Sequence, residues 1–253
     1  MPDVFSCLVT SNERLAESIY ALAISCPDIA GVARAGQFLN IRCGDESLLR
    51  RPISICSIDG DTLKVVFEKK GAGTGWLAER PAGSCLDVLG PLGNGFSIPD
   101  GDIIVVGGGI GVPPLLFAAE SATGDVTAIL GFRDSGNIIL RNEFEAVCGK
   151  TYITTDDGSC GIHGTVALPL ADLLERRKYE TVLACGPRVM LSVVADICKQ
   201  YGLDCQVSME ERMGCGVGAC VVCACATVID GVERMSRVCK DGPVFPSGIV
   251  RWK

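Results

Sequence analysis

The sequence predicts a β + α/β protein in which an antiparallel barrel is followed by a parallel-sheet α/β domain and a small C-terminal module. Three observations support this order. Residues 1–99 contain short apolar segments separated by Gly, Asp and Pro, a spacing typical of antiparallel barrels. In residues 100–205, apolar segments alternate with helical ones, as in parallel α/β domains. In residues 206–253 the composition shifts to Cys and Gly.

The predicted barrel has six strands, each bounded by turn residues. They cover residues 5–12, 17–25, 37–43, 51–58, 62–70 and 85–93.

The α/β half contains a glycine-rich turn directly after a buried strand. Residues 103–106 are wholly apolar and run into Gly107, Gly108, Gly109 and Gly111. Pro113 and Pro114 follow, where they suit the first turn of a helix. Such a turn brings backbone N–H groups and a helix N-terminus close to a diphosphate, so we expect a nucleotide here. The pattern is not a G-x-G-x-x-G fingerprint, and tight packing alone remains an alternative.

A second apolar strand, residues 181–184, ends at Cys185, Gly186 and Pro187. Ligands of open parallel sheets bind beyond the carboxyl ends of strands, so this end is expected opposite the glycine-rich turn. The alternative is that the Gly-Pro pair only turns the chain.

The C-terminal module carries the most specific motif of the chain. Cys215, Cys220, Cys223 and Cys239 have the C-x4-C-x2-C…C spacing of plant-type 2Fe-2S ligands. Glycines between the first two cysteines allow the backbone to curl round a cluster. A zinc site and a set of packed thiols are the alternatives. Cys225 is interpreted as a non-ligand.

Composition excludes several classes of partner. The net charge is −7 and Lys and Arg do not cluster, which argues against nucleic acid and anionic membranes. No apolar run approaches the length of a membrane span, and no secretory signal is visible. Fifteen cysteines suit a reducing compartment, so a soluble, cytoplasmic protein is expected. The single histidine, His163, lies in a turn-like segment and is expected on the surface.

Several motifs together resemble one known family. They are the segments at residues 35–38 (AGQF), 48–55 (LLRRPISI), 71–74 (GAGT), 87–96 (DVLGPLGNGF), 107–115 (GGGIGVPPL), 185–187 (CGP), 209–220 (MEERMGCGVGAC) and 238–245 (VCKDGPVF). The chain resembles the ferredoxin reductase superfamily and, more closely, the electron-transfer subunits of NAD-dependent (type B) dihydroorotate dehydrogenases. The resemblance covers nearly the whole chain.

This resemblance implies specific cofactor contacts. It makes residues 1–99 an FAD-binding barrel, 100–205 an NAD-binding domain and 206–253 a 2Fe-2S module. The flavin-binding residues it implies are Arg51, Pro52, Ile53, Ser54, Val66, Phe67, Glu68, Gly73 and Thr74. Arg51 is expected on the FAD pyrophosphate, which a planar guanidinium suits, and Ser54 near the reactive ring nitrogen. Many related reductases have an aromatic residue at the position of Ile53. The alternative for Arg51 is a solvated charge beside Arg50.

The resemblance also implies a relay without catalytic residues for dihydroorotate in this chain. Electrons pass between NAD, FAD, the 2Fe-2S cluster and the FMN of a separate dihydroorotate dehydrogenase catalytic subunit, in de novo pyrimidine (UMP) biosynthesis. The expected assembly is a heterotetramer with two copies of each subunit.

Two predictions have alternatives. Arg133 would accept the 2′-phosphate of NADP, whereas Asp134 would favour the ribose of NAD; the family favours NAD. The alternative functions are a reductase subunit of a ferredoxin, hydrogenase or sulfide/NADP system, and a zinc-stabilised nucleotide-binding regulator.

Overall fold

The first part of the chain forms a closed barrel of six antiparallel strands. The computed structural model describes residues 3–45 and 47–252. The barrel strands are β1 (Asp3–Arg14), β2 (Ile19–Ser25), β3 (Phe38–Ile41), β4 (Arg51–Asp59), β5 (Thr62–Glu68) and β6 (Cys85–Leu92). Helix α1 (Pro27–Ala30) follows β2, and α2 (Ala72–Ala78) follows β5. The strand order is β1-β2-β5-β4-β3-β6, and all six predicted strands are confirmed.

The second part of the chain is a sheet of parallel strands with helices between them. Its strands are β7 (Ile103–Gly108), β8 (Val126–Phe132), β9 (Lys150–Thr155), β10 (Ile162–His163), β11 (Thr181–Cys185) and β12 (Cys205–Ser208). The helices are α3 (Pro113–Glu120), α4 (Arg141–Val147), α5 (Ala167–Arg176) and α6 (Arg188–Gln200). Strand β7 is completely buried, because Ile103 and Val105 belong to one apolar core and Ile104 and Val106 to another, which explains its unbroken apolar run.

The C-terminal residues add three short strands. Strands β13 (Ala224–Ile229) and β14 (Val232–Arg237) form a hairpin. Strand β15 (Val244–Pro246) pairs with β12 at the edge of the sheet. That pairing is antiparallel, so the sheet is parallel except at this edge. Strand β12 also runs across the predicted domain boundary at residue 205. The segment between β12 and β13, residues 209–223, contains no helix or strand and is called the cysteine loop below.

Shared apolar cores hold these parts together. Helix α3 packs with Leu115 against barrel residues that include Cys56 and Val66. On the other side, Cys223 and Cys239 share a core with Phe38 of the barrel and with the sheet. The barrel therefore lies against both the nucleotide half and the cysteine loop. None of the helices in residues 3–45 and 47–252 combines the length and the apolar character that crossing a bilayer requires.

Candidate electron-transfer site

The four cysteines with 2Fe-2S spacing come together as two pairs. The backbone N–H of Cys215 donates to Sγ of Cys220 at 3.3 Å, and that of Cys220 donates to Sγ of Cys215 at 3.4 Å. The N–H of Cys239 donates to Sγ of Cys223 at 3.4 Å. In the part of the chain that the structure describes, no three His, Cys, Asp or Glu side chains converge on one point as a single ion requires. Four thiolates in two pairs would suit two bridged irons, and the identity of the ligands stays a prediction.

Backbone donors prepare one of these thiols for ionisation. Burial alone raises the pKa of Cys215, but N–H donors from Cys220, Val217 and Ala219 outweigh it and lower this pKa to about 6. The Cys239 thiol is more buried and contacts Cys223, and both effects raise its pKa to about 12. An iron ion would displace this proton, because a coordinating thiol is deprotonated. The donor set therefore fits a cluster of positive irons.

The cysteine loop takes its shape from residues with left-handed backbone. Gly216 and Gly218 have φ of 74° and 84°, and Val221 has φ of 60°. A β-branched residue in this region is a backbone outlier. Arg237 stabilises the loop from the hairpin side, since its Nη1 donates to the carbonyl of Gly218 at 3.2 Å while its other nitrogens bind Asp241.

Cys225 lies in strand β13 and faces the apolar core that it shares with Val238. Cys225 is 4 % exposed, whereas the predicted ligand Cys220 lies at the surface. This position suits a packed residue. Its absence from the ligand set stays a prediction.

The barrel residues predicted to hold FAD include a close pair. The Arg51 guanidinium lies directly against Gly73, where a Cβ atom would overlap it. Among the described residues, Arg51 donates to the carbonyls of Leu49 and Arg50 and forms no ion pair with a carboxylate. Arg50 instead binds Asp87 at 2.7 Å. A guanidinium at this position suits a pyrophosphate, and the role of Arg51 toward FAD stays a prediction.

The other predicted flavin residues divide into accessible and packed groups. Pro52 and Ser54 are half-buried, and Ile53 is buried. Phe67 stacks on Tyr20 within the barrel, with ring centroids 6.2 Å apart, and Val66 is buried in an apolar core that also contains residues of α3. Glu68 forms an ion pair with Lys70 at 3.0 Å.

Thr74 uses its hydroxyl locally, because Oγ1 accepts from the N–H of Lys70 at 2.9 Å. These contacts leave the role of each residue toward FAD a prediction.

The nucleotide turn, residues 107–112, lies where the sequence predicts it. Cys185 is the register partner of Gly107 on the adjacent parallel strand. A Cβ atom on Gly111 would lie 2.5 Å from the carbonyl oxygen of Cys185. Gly186 approaches the N–H of Gly108 closely, and Pro187 lies over the same glycine. The two strand ends form one cradle, which only glycines allow to close.

The loop after β8 carries the pair that would discriminate NAD from NADP. Both carboxylate oxygens of Asp134 accept from Nδ2 of Asn137 at 2.9 Å, and one also accepts from the N–H of Gly136. Arg133 is exposed. His163 is also exposed, at the end of β10.

Sequence reasoning missed two residues of this site. Asn40, on β3, donates from Nδ2 to the carbonyl of Cys215 at 3.3 Å. Arg237 holds the loop as described above. A signal existed for Asn40, which is the only polar residue in the strand Phe38–Ile41. No such signal marked Arg237, which lies in a polar, exposed strand.

Comparisons with known proteins identify relatives of this chain. The model of the iron-sulfur cluster binding domain of dihydroorotate dehydrogenase B matches residues 210–251. The electron transfer subunit of dihydroorotate dehydrogenase B (NAD(+)) from Desulforamulus reducens is 37 % identical over 262 residues, covering 100 % of both chains. The same subunit from Streptococcus pneumoniae is 40 % identical over 253 residues, covering 96 % of each.

Among solved structures, the NADH-dependent reduced ferredoxin-NADP oxidoreductase, studied for flavin-based electron bifurcation, superposes with a TM-score of 0.88. It is 28 % identical and covers 100 % of this chain and 92 % of its own. A ferredoxin reductase of carbazole 1,9a-dioxygenase shares the fold at a TM-score of 0.67 and 19 % identity, covering 79 % of this chain and 66 % of its own. With full-length relatives at this identity, the chain belongs to the family of electron transfer subunits of dihydroorotate dehydrogenase B (NAD(+)).

Proposed function

We propose that this chain relays electrons between NAD(H) and the FMN of a dihydroorotate dehydrogenase catalytic subunit, through FAD on the barrel and a 2Fe-2S cluster in the cysteine loop. This relay serves de novo pyrimidine (UMP) synthesis. One observation carries the proposal: the cysteine loop contacts β3 at Asn40, whose register partner on β4 is Pro52 of the flavin motif. The predicted flavin and cluster sites are therefore separated by a single strand.

The chain's own residues bind and orient the cofactors. FAD, when bound, exchanges electron pairs with a nicotinamide and single electrons with an iron-sulfur cluster. Arg51, held against Gly73, binds the FAD pyrophosphate. The nucleotide turn and the strand end at Cys185 hold the dinucleotide. Cys215, Cys220, Cys223 and Cys239 bind the irons.

The catalytic subunit docks, in this proposal, on the exposed side of the cysteine loop. Val217, Val221 and Val222 are 39 %, 53 % and 58 % exposed. Exposed apolar side chains beside a redox centre suit a partner surface. The partner carries FMN, and the assembly contains two copies of each subunit. The proposed compartment is the reducing cytoplasm, which suits fifteen cysteines that form no disulfide.

The test is the visible absorption spectrum of the anaerobic full-length protein, with iron and flavin assayed, before and after NADH. Flavin and cluster bands that bleach with NADH are expected. Addition of the catalytic subunit and dihydroorotate should bleach the same bands in the absence of NADH. A colourless protein that contains zinc would contradict the proposal.

Arg51→Gln tests the flavin site separately. Loss of a charge-assisted contact of about 1.5–3 kcal/mol should weaken FAD binding roughly 10–100-fold, as measured by flavin release on dilution, with iron content unchanged. Arg50→Gln is the matched control, because Arg50 binds Asp87 and the carbonyl of Asn40. It should lower thermal stability and leave the FAD affinity of the folded protein near that of the wild type. Equal FAD affinities for the Arg51 variant and the wild type would remove Arg51 from the site.

A second candidate is a reductase subunit that serves a ferredoxin or NADP system. The superposition with the ferredoxin-NADP oxidoreductase favours it, because that match also spans the whole chain. Reduction of the bands by reduced ferredoxin, with no response to the catalytic subunit and dihydroorotate, would support this candidate over the first.

A further inference from the structure

Asn40 is a buried amide in a strand that otherwise contains only apolar side chains. It is 1 % exposed, and its neighbours Leu39 and Ile41 are completely buried. Its Nδ2 donates across 175 positions of sequence to the carbonyl of Cys215. Within the described residues, Oδ1 has no hydrogen-bond partner. A buried amide that is only partly satisfied costs stability compared with an apolar residue of the same shape.

The Asn40 side chain packs closely against Gly216 of the cysteine loop. A Cβ atom on Gly216 would overlap Nδ2 of Asn40, and Gly216 has φ of 74°. The residue before it is Cys215, whose Sγ accepts three backbone N–H groups from within the loop. Asn40 therefore touches the part of the loop that shapes the first thiol pair.

The backbone of Asn40 is held at the flavin motif. Its register partner is Pro52, which has no N–H to donate. Nη1 of Arg50, two residues before Pro52, donates to the Asn40 carbonyl at 3.2 Å and also to the carbonyl of Asp87. The backbone of Asn40 thus lies beside the flavin strand β4, and its side chain binds the cysteine loop.

We propose that Asn40 is a positioning residue that fixes the cysteine loop relative to the flavin motif and so sets the rate of electron transfer between the two cofactors. The inference rests on the proposed relay. It assigns the buried amide to cofactor geometry and not to the stability of the barrel. Loss of a partner that orients a metal ligand typically lowers activity roughly 10–100-fold.

The experiment uses the full chain with both cofactors bound. In Asn40→Leu, NADH should bleach the flavin at the wild-type rate, while cluster bleaching slows roughly 10–100-fold. Iron content should be unchanged, and the melting temperature should not fall. Hydrogen exchange of residues 214–219 should be faster, which reports on loop position without any turnover.

Asn94→Ala is the matched control. Nδ2 of Asn94 donates to the backbone carbonyl of Asp241 at 3.0 Å, so it also joins the barrel to the C-terminal module, at a residue outside the cysteine loop. The Asp241 carboxylate, which binds Arg237, takes no part in this contact. It should leave cluster bleaching and loop exchange unchanged. Equal slowing in both variants, or wild-type cluster bleaching in Asn40→Leu, would overturn the inference.

A double-mutant cycle approaches the contact from the other side and serves even if Asn40→Leu folds poorly. Gly216→Ala alone should crowd Asn40 and slow cluster bleaching. Asn40→Ala opens space for the new methyl group, so the double variant should lose less than the sum of the single losses. Additive losses would contradict the contact. A wild-type protein whose flavin and cluster do not respond to NADH would instead defeat the relay itself, which separates the two failures.

Discussion

The nucleotide turn and the cysteine loop are both proposed cofactor sites, but they present different atoms to the cofactor. The turn presents backbone groups beside two adjacent strands. Strand β7 is completely buried, and β11 is buried except at its last residue, Cys185. The loop presents side-chain thiols from a segment without regular structure, in which Cys220 and the valines around it are exposed. A site made of backbone is fixed by the fold. A site made of thiols on a loop obtains part of its order from the metal.

The largest expected effect is the removal of one thiol from the loop. Cys220→Ala should abolish the cluster, because it removes one of the four proposed thiolate ligands. Cys220 is exposed, so the substitution should disturb the packing of the fold little. Iron content and cluster absorption should both disappear, whereas FAD content and NADH-driven flavin reduction should persist.

Cys225→Ala is the matched control, since Cys225 is buried two positions after a predicted ligand. Iron should stay bound in this variant. Retention of a full cluster by Cys220→Ala, or its loss from Cys225→Ala, would show that the ligand set differs from the one that the spacing predicts.

A smaller effect is expected from crowding the nucleotide turn. Gly111→Ala places a Cβ atom 2.5 Å from the carbonyl oxygen of Cys185 and 2.6 Å from the Cα atom of Gly186. These are backbone atoms that cannot rotate away, so the free energy of unfolding should fall by about 1–3 kcal/mol. NADH-driven flavin reduction should slow, with iron content unchanged.

Gly109→Ala separates crowding from backbone strain. Gly109 has φ of 52° but no atom within 4 Å of its would-be Cβ. In Gly109→Ala the free energy of unfolding should fall only by the cost of left-handed backbone, about 1–2 kcal/mol. Its effect on flavin reduction should be milder than that of Gly111→Ala. Stopped-flow kinetics and denaturant melts compare the two variants; a larger loss in Gly109→Ala would mean that close approach does not define the turn.

The contrast between these regions also explains what the sequence could predict. The barrel strands and β7 follow from local alternation and apolar runs, and the strand ends at Gly107 and Cys185 meet because parallel strands align their carboxyl ends. The ligand spacing is equally local. The contact between Asn40 and Cys215 and the antiparallel edge strand β15 depend on tertiary packing between distant segments, and no local pattern encodes their partners.

Removal of the cluster should affect the two regions unequally. Anaerobic chelation of the iron should speed hydrogen exchange in residues 209–223 by about tenfold or more, which corresponds to about 1.4 kcal/mol of local stability. Exchange in β7 and β11 should not change, because their buried ladders do not depend on iron. Uniform acceleration across the sheet, measured peptide by peptide, would mean that the cluster stabilises the whole fold.

The smallest expected effect concerns the strained residue of the loop. Val221 has φ of 60°, which costs an L-residue about 1–2 kcal/mol, and Gly at this position relieves that strain at the expense of a more flexible unfolded chain. Val221→Gly should therefore raise the stability of the iron-free protein by up to about 1 kcal/mol, as measured by denaturant melts.

The same variant should bind the catalytic subunit more weakly, because Val221 is 53 % exposed on the proposed docking side. Val217→Ala is the matched control, because Val217 is not among the non-glycine residues with positive φ. This variant should weaken binding of the catalytic subunit without the gain in stability. If both variants bind the partner as tightly as the wild type, the exposed valines do not form the docking surface, and the strain at Val221 serves only the shape of the loop.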